Sequence, residues 1–174
     1  MRFAIAVILL FSQAIAQADT LSGRVVRVTD GDTIVVLDGS NTQHKIRLQA
    51  IDAPERGQDF GTKSKKHLSS FVAGKTVVVE YDKLDRYGRI VGKVLLDGKD
   101  MNLEQIRAGL AWHYKKYQGE QTVDDRVAYS DAEMDARRHG RGLWANGNPT
   151  APWDYRKAKR EQRKDMEAFM GESR

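Results

Sequence analysis

Apolar residues recur along this chain first at the two-residue period of strands and then at the wider spacing of helices. Residues 23–29 and 34–37 are runs rich in β-branched residues that flank Asp30-Gly31-Asp32, a hairpin-turn signal. Asp38-Gly39-Ser40-Asn41 marks a second turn. Residues 43–51 then alternate, with Ile46, Leu48 and Ala50 on one side and Arg47 and Gln49 on the other. Residues 76–81 and 90–96 give two further strands around Asp85-Arg86-Tyr87-Gly88. Helices are predicted over 60–73, 101–109 and 124–138, the last with Tyr129, Ala132 and Ala136 at helical spacing. Five short strands with mostly late helices predict an α+β domain, mainly β, in which a small closed barrel is supported by three helices.

The two ends of the chain read differently. Arg2 is followed by an apolar run over 3–11 and then by small residues, and both Ala14-Ile15-Ala16 and Ala16-Gln17-Ala18 fit a small-x-small cleavage rule. Residues 1–18 therefore read as a signal peptide cut after Ala16 or Ala18, the apolar run being too short to span a bilayer. The expected product is an exported protein, periplasmic or secreted, a monomer with no stable membrane association. Residues 19–150 make the expected domain. Residues 151–174 form a basic tail in which Arg156, Lys157, Lys159, Arg160, Arg163 and Lys164 crowd a helix-prone segment. That tail reads either as an arm attracted to nucleic acid or, the simpler reading, as a solvated and frayed terminal helix.

Composition changes this picture in two ways. The 174 residues contain no cysteine, so stability must come from the core, and thiolate metal sites and thiol chemistry are excluded. The formal charge of +5 becomes +4 without Arg2, a mildly basic surface compatible with polyanions.

The candidate chemistry lies at strand ends. Asp30-Gly31-Asp32-Thr33, Arg47 with Asp52-Ala53-Pro54-Glu55, and Tyr87-Gly88-Arg89 each follow or close a β-like run. With Ile46 and Leu48 facing the barrel interior, Arg47 projects from its outer surface, and Asp52 sits five residues on at the strand's mouth. Pro54 keeps Ala53 extended, which lets Asp52 and Glu55 take neighbouring but distinct roles. Two carboxylates can hold a hard cation, a third can act on water, and two guanidiniums can grip a phosphate. Each piece alone has a plain structural alternative: a hairpin turn, a strand exit, a solvated carboxylate or an exposed arginine. His44, His67, His113 and His139 are scattered without zinc-like spacing.

In that order, Asp30-Gly31-Asp32-Thr33, Ile46-Arg47-Leu48, Ile51-Asp52-Ala53-Pro54-Glu55, Asp85-Arg86-Tyr87-Gly88-Arg89 and Gly142-Leu143-Trp144 resemble the staphylococcal nuclease (thermonuclease) family over roughly residues 21–145. The resemblance implies an OB-fold barrel and a calcium-dependent endonuclease that cuts DNA and RNA and leaves 3′-phosphate ends. It also implies roles residue by residue. Asp32 and Asp52 match the calcium-binding carboxylates, and Ala53 supplies a main-chain carbonyl where the family usually has threonine. Losing that hydroxyl leaves the carbonyl intact but removes a hydrogen bond that orders water. Glu55 matches the residue that activates or orients water, and Arg47 and Arg89 match the phosphate-gripping pair.

Tyr87 is a further candidate substrate contact. Tyr114 and Tyr117 lie near the family's nucleotide-site tyrosines, with a different local spacing, and read equally as base-stacking platforms or rim packing. The segment 56–61 is shorter than the loop that often follows the Pro-Glu pair in the family. Two other readings stand beside the nuclease. One is a non-catalytic OB-fold module binding single-stranded nucleic acid, which would not need Glu55 and both arginines. The other is an exported protein whose calcium site only stabilises the fold.

Overall fold

The structure, a computed structural model, describes residues 19–172. The expected signal segment and its cleavage positions lie outside the described residues.

The β-rich first half forms β1 (Asp19–Asp30), β2 (Thr33–Asp38) and β3 (Gln43–Leu48), joined as antiparallel hairpins. After a two-residue β4 (Ile51–Asp52) and the helix α1 (Gly61–Val72) come β5 (Thr76–Leu84), β6 (Ile90–Leu96) and the short β7 (Lys99–Asp100). β5 pairs with β1 and β6, and a parallel pairing of β3 with β6 closes the ring. Among the described residues, five strands in the order β3-β2-β1-β5-β6 thus make the closed barrel of an OB-like α+β fold. Register irregularities in β1, after Val25 and after Val28, provide the bend that a barrel of this size needs. Val25, Ile34, Val36, Ile46, Leu48, Val77, Val79 and Val94 fill the interior, as strict alternation requires.

The helices cover the barrel on apolar stripes. α1 buries Gly61, Ser64, Leu68 and Val72, a spacing of three and four residues. α2 (Met101–Arg107) starts at Asp100, whose side chain accepts from the Leu103 amide and also from the Tyr129 hydroxyl at 2.7 Å. After β8 (Trp112–His113), which pairs with β4, α3 (Val123–Arg138) begins at Thr122 and buries Tyr129, Ala132, Glu133 and Ala136.

Two buried amides on α2 bind the parts together. Asn102 accepts from the Val94 amide and donates to the carbonyls of Gln49 and Gly92. Gln105 donates to the Gly31 carbonyl at 2.6 Å and to Ser64 of α1. Gly31 has no alternative here, because a Cβ on it would lie 1.8 Å from Ser64 Oγ and 2.8 Å from Ala53 Cβ. The β1–β2 turn is therefore pressed against α1 and against residue 53.

Two expectations need correction. The strand predicted to run through 51 ends at Leu48. Ala50, although buried, takes a left-handed backbone (φ +60°), and the chain turns before β4 begins. The tail is also only partly solvated. α4 (Pro152–Glu172) is exposed from Lys157 to Gly171, but Ala151 and Pro152 are buried. Ala151 packs into a second apolar cluster with Trp112, Ala136, Leu143 and Trp144, and Trp153 packs against it. That apolar anchor is why the first turn is docked rather than frayed.

Candidate active site

Pairing of β2 with β3 sets Thr33 opposite Arg47, so Asp32, at the tip of the β1–β2 turn, sits beside the Arg47 side chain. The turn is fixed on all sides. The Leu48 amide donates to the Asp32 carbonyl at 2.9 Å, the Thr33 hydroxyl to Asp32 Oδ1 at 3.1 Å, and the Ala53 amide to Asp32 Oδ2 at 2.6 Å. Arg47 Nη1 forms an ion pair with Asp32 Oδ2, while its Nη2 donates to Asp52 Oδ1 at 2.8 Å. One guanidinium thus spans both carboxylates. Burial would lower the Arg47 pKa, but the charges of Asp32 and Asp52 prevail and raise it.

Asp52 is almost sealed, with its side chain 1% exposed, because β4 is backed by Trp112 of β8. This burial pushes its carboxyl above the usual range, against the pull of Arg156 and Arg47. Asp30, behind Asp32, is raised to about 7 by burial and by the neighbouring Asp32 charge. Glu55 is different, its side chain 37% exposed. The loop that carries it is closed by Gln58, whose side chain accepts from the Glu55 amide, and by Gly61, where a Cβ would meet the Glu55 carbonyl at 2.3 Å.

A residue that the sequence reading placed only in the basic tail completes the cluster. Arg156, in the first turns of α4, donates from Nη2 to Asp52 Oδ2 at 2.7 Å and from Nη1 to Asp52 Oδ1 at 3.1 Å and Glu55 Oε1 at 2.6 Å. The one signal for it was the aromatic pair Trp153 and Tyr155 just before the basic run, which marks a segment able to dock.

The other candidates lie outside this contact network. Arg89 is held in its own hairpin, donating from Nε to Asp85 Oδ2 at 2.7 Å. Asp85 also accepts from the amides of Tyr87 and Arg89. Its burial would raise its pKa, yet these bonds hold it below the usual carboxylate range. Tyr87 is exposed, with the Arg86 and Arg89 guanidiniums 4.9 and 5.6 Å from its ring. Tyr114 lies edge-on to Tyr117 at 5.1 Å and stacks on Trp153 at 5.3 Å with 7° between the rings. Tyr117 is exposed near Lys83 and Lys116. A groove of about 770 Å³ runs between Trp112, Tyr114, Lys115, Lys116, Trp144 and Trp153. The four histidines each bond to a protein group away from Asp32, Asp52 and Glu55: the Asp38 carboxylate, the Gln105 and Gln121 side chains and the Asp135 carbonyl.

Among the described residues, no group of three or more His, Cys, Asp or Glu side chains is arranged to hold a metal ion. The oxygen donors beside the Arg47 guanidinium are the carboxylates of Asp32 and Asp52. A cationic group already lies between Asp32 and Asp52, and both acids are hard oxygen donors, so the chemistry of the pair suits a hard divalent cation.

The family model described as "Staphylococcal nuclease homologue" matches residues 45–146. The chain belongs to the staphylococcal nuclease family. An "Uncharacterized endonuclease" of Escherichia coli is 45% identical over 154 residues, covering 88% of this chain and 95% of that protein. A "Micrococcal nuclease" of Shigella flexneri is 36% identical over 167 residues, covering 91% and 92%. A staphylococcal-like nuclease of Arabidopsis thaliana is 40% identical over 116 residues, 67% of this chain and 34% of that protein. The function is that of a nuclease, a hydrolase acting on nucleic acid. The matched span of this chain carries Arg47, Asp52, Glu55 and Arg89, while Asp32 and Arg156 lie on either side of it.

Proposed function

We propose that the protein is an exported, monomeric, calcium-dependent endonuclease that hydrolyses DNA and RNA with little sequence preference and leaves 3′-phosphate ends. The observation that carries this reading is the pair Asp32 and Asp52 held on one guanidinium, with the water-accessible Glu55 beside them. Asp32, Asp52 and the Ala53 carbonyl would hold the ion, which when bound would supply positive charge to a phosphate oxygen.

The chain's own groups account for the rest. Glu55 is open enough to meet water and would take its proton or aim its lone pair at phosphorus. In-line attack breaks the bond from phosphorus to the 5′ oxygen, giving a 3′-phosphate and a 5′-hydroxyl. Arg47 and Arg89 would donate to the equatorial oxygens as charge builds there. Arg89 must leave Asp85 to do so, and a partly exposed ion pair costs only about 1 kcal/mol to break. Tyr87, Tyr114 and Tyr117 offer ring faces to bases whatever their sequence, and Lys115 and Lys116 offer charge to phosphates along the aromatic groove. Arg24, Arg27 and the surface lysines add nonspecific attraction, so affinity should fall steeply with added salt.

The test is digestion of plasmid and of denatured DNA by the mature chain, with calcium and then with excess chelator. Cleavage that needs calcium and is abolished by chelator supports the enzyme. Binding without cleavage would replace it with the single-strand binding module. Export is tested separately by fractionating cells that express the full chain and determining the mature N-terminus.

A further inference from the structure

Asp52 and Glu55 have different tasks in the reading above, and the same side chain touches both. Arg156 takes both oxygens of Asp52 and one of Glu55, across 104 and 101 residues of sequence. Its backbone is anchored independently of these bonds. The Tyr155 hydroxyl donates to the Gly57 carbonyl at 3.1 Å, Gln58 Nε2 donates to the Thr150 carbonyl at 2.7 Å, and Trp153 stacks on Tyr114 and meets Trp112 edge-on. Two of these contacts, at Gly57 and Gln58, fall on the loop that carries Glu55. Thr150 and the first turn of α4 therefore brace that loop and the guanidinium together.

Formal charge gives the arrangement a purpose. Asp32, Asp52 and Glu55 against Arg47 and Arg156 leave one net negative charge among the linked groups. A divalent cation would turn that into one positive charge facing the phosphate, to which Arg89 adds when it leaves Asp85. Without Arg156 the loaded cluster would be neutral before substrate arrived, with nothing tying Glu55 to the metal-binding carboxylate.

We propose that Arg156 is a positioning residue of the nuclease site, supplied by the C-terminal helix, that fixes Glu55 relative to Asp52 and sets the charge the phosphate meets. The planar fork of arginine is what allows one side chain to serve two carboxylates, so lysine should replace it poorly. This inference rests on the calcium-dependent reading of the same site.

The experiment compares wild type, Arg156→Ala, Arg156→Lys and Gln162→Ala, an exposed, uncharged control on the same helix. It measures kcat and KM on single-stranded DNA, calcium affinity by calorimetry, and melting temperature. Arg156→Ala is expected to lose about a hundredfold in kcat with KM changed less than threefold. It should bind calcium at least as tightly as wild type, because a competing cation has left Asp52. Arg156→Lys should recover part of the rate, and Gln162→Ala should match wild type. An Arg156→Ala rate equal to or above wild type would overturn the proposal, as would calcium binding that weakens along with the rate. If Arg156→Ala melts too low to assay, Arg156→Lys decides alone, and an unaltered kcat in that folded variant is the overturning result. A wild-type protein that does not cleave with calcium defeats the underlying reading instead, so the two failures are distinct.

Discussion

Arg47 and Arg89 stand near neighbouring strands of one barrel, β3 and β6, yet their electrostatic settings are opposite. Arg47 lies between Asp32 and Asp52, which reach it from 15 and 5 residues away in sequence, and its side chain is 16% exposed. Arg89 closes a local loop with Asp85, four residues earlier, at a partly exposed hairpin. The first arginine is woven into the fold, and removing it leaves buried carboxylates without their counter-charge. The second is satisfied by its own turn, and removing its side chain leaves a half-buried aspartate that still accepts from two amides of that turn. An arginine of the first kind can hold a site together, whereas one of the second kind is free to move to a ligand.

The largest expected effect comes from breaking the buried side of this contrast. Arg47→Ala should lower the cleavage rate on the order of a hundredfold to a thousandfold, and also destabilise the fold by about 3 kcal/mol. Rate assays with calcium and urea unfolding of the metal-free protein measure the two losses separately. Arg89→Ala should slow cleavage by about a hundredfold while changing stability by less than about 1 kcal/mol. Equal stability losses in the two variants would erase the distinction.

The smallest effect sharpens the hairpin side. Asp85 has its folded pKa depressed below the ordinary 3.8, so it contributes stability that is present above that value and lost as pH falls through the folded pKa. Asp85→Asn should therefore flatten the fall of melting temperature below about pH 4, slightly, because the pair is screened by solvent. An unchanged acid limb would show that the Asp85–Arg89 pair contributes no pH-dependent stability.

The barrel was legible because alternation and turn chemistry act over a few residues. Ile46 and Leu48 point inward as their spacing requires, and that register forces Arg47 toward the turn bearing Asp32. The grouping of Asp32, Arg47, Asp52 and Glu55 could be read for the same reason, since each lies at or just beyond a strand end. The break at Ala50 was not legible, because alanine gives no local signal for a left-handed backbone. Arg156 was hidden for a different reason. It reaches Asp52 across 104 residues, brought there by the packing of Ala151 and Trp153 onto the second apolar cluster and by the hydrogen bonds of Tyr155 and Thr150 to the Glu55 loop. Read as a run of basic residues, that segment shows its charge but not its anchor. Nor does sequence spacing reveal that Arg89 rests on Asp85 rather than on the carboxylate cluster.

The most direct measurement is a calorimetric calcium titration of the mature wild-type chain beside Asp32→Asn and Asp52→Asn. One bound ion in wild type is expected, weakened at least tenfold in each variant, with cleavage lost in parallel. Calcium heats that survive unchanged in both variants would contradict the assignment of these two aspartates as the ion's ligands.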